Sequence, residues 1–470
     1  MIDGKGARDG RDHPVGVITA GRGGPYGPRV SVREAVPVRE VVVAREPVLS
    51  WARGFRLRQA LKGSLWFVPL LGGVLGVLLA QVDAWRRPGV PASWQFSADT
   101  ASGVLTVIIS AMVGLFGFVV TIGVLVVQMA TGTLSPRFMR LWYRDRLQKL
   151  VLAFFVGTIA FAFSLLRRVS EDAVPSIGVY VAGVAFGLSL LLLLLYLNRF
   201  AHSLRPVGVG TLVARQGREE LRKATETRLR VTRSANPVRG RSPVALVGVP
   251  RSGAIQAINV RRLLAEAVRA DCVLALHCSI GDFVRPGEAV VGVYSDGGTP
   301  NTAAIAGAVA LGDERSIEDD PAFAMRILVD IAIRALSPAV NDPTTAVQMI
   351  NHIEVLLYEL APYLDGTDHV VVADERGTVR VVAPTRTFAD YLGLAMTEIR
   401  EYGGGAVQVC RRLTSVLHSL LPVVPPGCRP VVEAELAALG RTIAARFPDA
   451  ETRAFAGRDD RQGIGGPHAA

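Results

Sequence analysis

Two stretches of the 470-residue chain concentrate side chains able to do chemistry. Gly312-Asp313-Glu314-Arg315-Ser316-Ile317-Glu318-Asp319-Asp320 sets five carboxylates around one arginine. The segment Leu328–Ala346 adds Asp330, Arg334, Asn341 and Asp342. Brought to one pocket, Asp313, Glu314, Arg315, Asp330, Arg334, Asn341 and Asp342 would offer carboxylate and amide oxygens to a hard cation such as Mg²⁺ or Ca²⁺. The two arginines would instead suit an anion held in forked geometry. A plainer reading uses the same residues. Asp342 before Pro343 is a helix start, because a carboxylate caps free N–H groups and proline suits the first helical position. Ser337-Pro338 ends the preceding helix, since proline disfavours helix at the residue before it. Asp330 and Arg334 lie one turn apart and can simply pair.

Signals for catalysis are sparse. No GxSxG, HExxH, GxGxxG or EF-hand loop occurs, and no two of the seven histidines stand at i,i+4. His277 beside Cys278 reads as a half-buried strand position. No lysine follows Lys223, so the C-terminal half lacks a Walker A lysine, a Schiff-base lysine and a biotinyl or lipoyl acceptor. The turn Gly281-Asp-Phe-Val-Arg-Pro-Gly287 resembles that of biotinyl and lipoyl domains, but without the acceptor it is structural. Cys272, Cys278, Cys410 and Cys428 show no CxxC spacing, which excludes a zinc ribbon and a disulfide-dense scaffold. Neither an enzyme nor a cofactor is expected. A membrane-bound enzyme working through the acidic–arginine cluster is the weakest class that stays open.

The elements that must position these residues are set by hydropathy. Mean hydropathy is +0.34 and 50% of residues are apolar, which excludes a disordered chain and argues against an all-soluble enzyme. Gly63–Val82, Thr100–Pro136, Leu150–Leu166 and Ala173–Asn198 carry no charge. A hydrocarbon core about 30 Å thick needs roughly 20 apolar helical residues, so each run predicts one transmembrane helix. The spans are placed at about 64–83, 103–128, 150–167 and 176–198, with the second leaving the bilayer near Gln128. Because the first lies some 60 residues in, no cleavable signal peptide is expected.

Charge sets the orientation. Residues 1–62 carry a net +6, 137–149 a net +4 and 201–240 a net +6, whereas 241–470 carry −6. The loops holding Arg86-Arg87 and Arg167-Arg168 are balanced by acids. Basic flanks stay in the cytoplasm, which predicts both termini inside. Juxtamembrane basic charge is drawn to anionic lipid at about 1 kcal/mol per residue. Nucleic acid is excluded as a partner because the folded domain is acidic.

No carboxylate, histidine or arginine lies within the four charge-free runs. Pumps and ion-coupled transporters mark themselves with such groups at membrane depth. The second span does carry Thr106, Ser110, Thr121 and Gln128, and hydroxyls and backbone carbonyls can line a channel. Four helices are few for a pore in one subunit, so a channel requires a homo-oligomer. Gly72-xxx-Gly76 and Ser110-xxx-Gly114, followed by Gly117, let helix backbones approach closely, inside a bundle or between subunits.

The fold class expected is a multi-span α-helical membrane domain of four transmembrane helices, followed by a cytosolic α/β (α+β) C-terminal domain. Its parts are a disordered basic arm (1–50), the membrane domain (51–200), a basic juxtamembrane connector (201–242), the α/β domain (243–453) and a disordered tail (454–470). Trp51–Lys62 reads as a basic lead-in with Trp51 and Phe55 suited to the membrane interface. The α/β domain should alternate strands near 252–260 and 272–278 with a helix at 261–270, then a hairpin 369–383 and helices to residue 446.

With Leu134-Ser-Pro136-Arg137-Phe after the second span, the runs Gly312–Asp320 and Asp330–Ala346 resemble a bacterial family of predicted membrane proteins, the domain of unknown function DUF2254, over roughly residues 60–450. That resemblance implies a multi-span membrane protein with a cytosolic domain and supplies no activity. The function expected is an oligomeric, channel-like protein of the bacterial inner (plasma) membrane, gated by a cytosolic domain that senses a small ligand or ion. The alternative is a non-conducting membrane-anchored scaffold or stress sensor acting through protein partners.

Overall fold

The computed structural model describes residues 41–43, 50–82, 95–133, 145–171, 173–203, 206–229, 236–364 and 366–461. Residues 1–40, the loop with Arg86 and Arg87, the Leu134–Phe138 motif and residues 462–470 lie outside the described residues.

Among the described residues, six helices follow the short strand Val41–Val43. α1 (Trp51–Gly63) and α2 (Phe67–Ala80) meet at 74°. α3 (Ala98–Thr133), α4 (Arg146–Leu166), α5 (Ser176–Ser203) and α6 (Pro206–Leu229) follow. Three are long and apolar enough to cross a membrane, over Ala98–Leu125, Arg146–Leu166 and Ser176–Arg199; the bent α1–α2 pair makes up to four. The first expected span therefore differs from a simple helix. α2 alone is about 21 Å long, short of a core of about 30 Å, and α1 carries Arg53, Arg56, Arg58 and Lys62. The second helix also continues past Gln128 to Thr133.

Glycine decides which helices touch. A Cβ added at Gly72 would stand 2.2 Å from the Ala153 carbonyl oxygen, and one at Gly76 2.2 Å from that of Gly157. α2 and α4 thus meet backbone to backbone, the use small residues have between apolar helices. Leu105, Met112, Phe155, Leu165 and Val179 fill the core shared by α3, α4 and α5. Ser50 and Asp145 cap α1 and α4 by accepting the N–H of Arg53 and Leu147.

The polar part combines two sheets with a layer of helices. Strands β1 (Val41–Val43), β2 (Ala245–Gly248), β3 (Gly253–Ile258), β4 (Cys272–Leu276), β5 (Phe283–Val284), β6 (Ala289–Ser295), β7 (Val309–Gly312), β8 (His369–Ala373) and β9 (Val379–Pro384) form them. One sheet runs β1-β2-β6-β4-β9-β8, with parallel pairs β1–β2 and β4–β9, and the other β5-β3-β7. Val41–Val43 thus adds an edge strand inside the arm expected to be disordered; three β-branched valines suit a strand. Helices α7 (Val260–Arg269) and α8 (Thr302–Ala306) lie in the sheet region. α9 (Pro321–Ala335), α10 (Pro343–Leu360), α11 (Phe388–Gly403), α12 (Val407–Leu420), α13 (Arg429–Arg446) and α14 (Ala450–Ala456) build the helical layer.

Two elements play other parts than the sequence suggests. α6, expected as a connector, puts Val209, Val213 and Leu221 into the largest hydrophobic core beside Leu328, Met349 and Ile353. Trp51 and Phe55, expected at the membrane interface, pack against Ala257 and Ala310 of β3 and β7, and the Ala52 N–H donates to the Gly307 carbonyl. The boundary expected at residue 453 falls inside α14, and Asp460 beyond it is 1% exposed.

Candidate functional site at the junction of helices and sheets

The loop Gly312–Asp320 joins β7 to α9 and is gripped from four sides. Arg315 Nε and Nη2 both donate to Asp320 Oδ2, at 3.1 and 2.7 Å, and the guanidinium carbon lies 5.0 Å from the centre of the Phe323 ring. Asp320 is 4% exposed and its Oδ1 caps α9 through the Phe323 N–H. Burial pushes the Asp320 carboxyl above the usual carboxylate range, against the pull of Arg315 and Arg386. Space for this pair comes from Gly281: a Cβ there would meet Arg315 Nη2 at 2.6 Å and Asp320 Oδ2 at 2.7 Å. Gly281 sits at φ +95°, so the turn that resembles a lipoyl turn here houses an ion pair.

The other grips come from far along the chain. Gln256 on β3, 6% exposed, donates from Nε2 to the Glu314 carbonyl at 2.7 Å. Gly312 leaves room for that amide, which a Cβ would approach to 2.1 Å. From α1, Gln59 bonds to Glu318 and Lys62 pairs with it at 3.4 Å. From α6, Glu220 accepts the Asp319 N–H at 3.1 Å and pairs with Lys223 at 2.9 Å. Asp319 itself has φ +62°, uncommon for a residue other than glycine. Desolvation, with Glu220 and Glu318 as like-charged neighbours, raises its carboxyl.

Beside the loop lies a cavity of about 230 Å³. Its walls come from α6 (Leu221, Ala224), the sheets (Ile258, Cys278), the start of α9 (Asp319, Asp320), the end of α10 (Leu360, Tyr363) and the β9–α11 corner (Arg386, Tyr391). An apolar hollow with a few convergent polar groups, where separate layers meet, is the usual form of a small-molecule site. Burial, then the charges of Asp282 and Glu288, pushes the Cys278 thiol up to about 11.

The seven residues read from the sequence do not share one pocket. Asp313 and Glu314 are exposed at the start of the loop, and Arg315 is bound to Asp320. Asp330 lies midway along α9, where Arg326 Nε donates to it at 2.7 Å while Arg326 also clasps Glu398 with bonds of 2.5 and 2.7 Å. Arg334 is half-buried near the end of α9. Asn341 (φ +47°) and Asp342 form the α9–α10 turn, where Asp342 accepts the Thr345 N–H and hydroxyl at 3.0 and 2.5 Å. α9 separates the Arg315 end from the Asp342 end by about 22 Å. Among the described residues, no group of three or more His, Cys, Asp or Glu is set to hold a metal ion. The sequence reading missed Gln256, Gln59 and Glu220; the one local signal was a glutamine in a strand of otherwise apolar positions.

In the helical bundle, Thr106, Ser110, Thr121 and Gln128 all lie on the exposed side of α3, opposite Leu105, Ile108, Met112 and Val119. Thr106 and Thr121 donate their hydroxyls to carbonyls of their own helix, Ser102 at 2.8 Å and Gly117 at 2.9 Å. A Cβ added at Gly103, Gly114 or Gly117 would meet nothing within 4 Å. One face of α3, small and hydroxylated at spacings of three and four, is thus open along its length.

Apolar helices of spanning length beside a mixed α/β fold define a membrane protein with a large polar domain. The chain belongs to the family of predicted membrane proteins DUF2254, whose match covers residues 62–419. It is similar to uncharacterised proteins of Mycobacterium bovis and of two strains of Mycobacterium tuberculosis. Each is 27% identical over 416 residues, spanning 84% of this chain and 79% of the relative. No solved structure matches it.

Proposed function

We propose that this protein is an oligomeric, channel-like protein of the bacterial inner membrane, with both termini and the α/β domain in the cytosol, and that the domain gates the membrane part in response to a small ligand or ion. The observation that carries the reading is the open face of α3. Gly72 and Gly76 are consumed by contact inside the subunit, whereas Gly103, Gly114 and Gly117 on α3 face empty space. A row of glycines and hydroxyls gains nothing from lipid tails. Around a shared axis it offers close helix approach and lone pairs.

The Gly312–Asp320 loop supplies the coupling. α1 continues into α2 and holds Glu318, and α6 follows α5 and holds Asp319. A ligand that fills the adjoining cavity and moves this loop would pull on both. Its leverage is bounded by its differential affinity for the two positions.

Ion flux from proteoliposomes holding the full-length protein tests conduction, beside empty liposomes and a Thr121→Leu variant. Flux that the substitution alters is expected. Silence across salts and membrane tension, with folding and orientation checked, would overturn conduction and return the protein to the scaffold class.

A further inference from the structure

A second cavity, of about 190 Å³, lies among the membrane helices. Leu65, Trp66 and Pro69 at the α1–α2 bend, Phe116 to Val127 on the second half of α3, and Gln148 and Leu152 at the start of α4 line it. Its walls are apolar with one exception. Gln148 is 4% exposed, and its Oε1 is buried with no hydrogen-bond partner. An amide oxygen left so is costly and calls for a donor. The donor must arrive on something that tolerates the apolar walls.

Charge indicates what carries it. Lys149, which follows Gln148, is buried and bonds to the Lys62 carbonyl, so the end of α1 and the start of α4 meet beside this cavity; Lys62 itself is 60% exposed and pairs with Glu318. Arg58 lies one turn before Lys62, and Trp66, 69% exposed, stands at the bend where an aromatic anchor meets headgroups. We infer that this cavity is a binding site for an anionic phospholipid with a hydroxylated headgroup: one acyl chain lies in the hollow, the phosphate lies at the exposed basic end of α1 (Arg58, Lys62), and a headgroup hydroxyl donates to Gln148 Oε1. The inference needs the membrane placement but not conduction, so it stands or falls apart from the channel reading.

Lipid retention by the full-length protein, read by native mass spectrometry after delipidation and equal loading, tests it. The probes are phosphatidylglycerol, phosphatidylmethanol with the same chains (the anion without the hydroxyls) and phosphatidylcholine. Wild type should retain phosphatidylglycerol over phosphatidylmethanol by about five-fold, the effect of one hydrogen bond. Gln148→Leu and Gln148→Met, checked for wild-type elution, should bring the two to parity, and Val120→Trp, which fills the hollow, should lower both. Equal retention of the two anions by wild type, or unchanged preference in either Gln148 variant, would overturn the assignment and leave the amide to water. Survival of the preference in Val120→Trp would place the lipid elsewhere.

Discussion

At the scale of single residues, the junction loop holds groups whose surroundings set their chemistry. Asp319 is strained at φ +62° and stands among like charges that, with desolvation, raise its carboxyl. A raised carboxyl favours the folded state at pH below its ordinary range, and that contribution is lost as pH climbs through the raised value. Asp319→Asn keeps a side chain that tolerates the left-handed region and removes the charge. Its melting temperature at pH 7 should exceed that of wild type by the equivalent of about 0.5 kcal/mol after solvent screening, and the gain should vanish near pH 3. A lower melting temperature at pH 7 would show that the carboxylate is needed. Cys278, lifted to about 11 by burial, should react slowly with iodoacetamide at pH 7.5 and speed up as pH rises toward 11. Fast alkylation at neutral pH would mean that the junction opens far wider.

Local rules made part of this scale legible in the sequence. Asp342 and Asp320 cap helices because an acid followed by proline reports its own neighbourhood, as the sequence predicts for Asp342. Gln256 to Glu314, or Gln59 to Glu318, join residues far apart in sequence, and no periodicity in one chain reports such a pairing.

At the scale of elements, the two glycine stripes that look alike in sequence part company. Gly72 and Gly76 are occupied by the α4 backbone, so Gly76→Val forces a branched side chain into a carbonyl and should cost about 3 kcal/mol. Gly114→Val meets nothing within the subunit and should leave the monomer's melting unchanged while reducing the oligomer seen by size and light scattering. Equal damage from both substitutions would mean that α3 packs inside the subunit. Hydropathy located α3, α4 and α5 to within a few residues, because a charge-free run is a local property. The first charge-free run, from Gly63, holds α2, and the lead-in Trp51–Lys62 forms α1 at 74° to it.

At the scale of the whole molecule, the chain closes on itself at its far end. Arg411 on α12 is 3% exposed, stacks 4.2 Å from the Phe455 ring and pairs with the buried Asp460 at 3.4 Å. Asp460→Ala strands a buried guanidinium and should destabilise the fold by about 3–5 kcal/mol, read by thermal unfolding. A change below about 0.5 kcal/mol, within ordinary surface scatter, would show that the segment after α14 only rests on the surface. The composition of that segment reads as a tail; only its distant partner, Arg411, makes it structural.

A shared pore along α3 is tested most directly by aqueous thiol labelling of single cysteines at Thr106, Ser110 and Thr121 in the membrane-embedded, full-length protein freed of its native cysteines. Val107 and Val120, exposed on the two flanks of that row, serve as controls. A water-filled oligomeric path predicts labelling at all three hydroxyl positions and protection at both valines. Protection at all five would contradict it, and the open face of α3 would then face lipid.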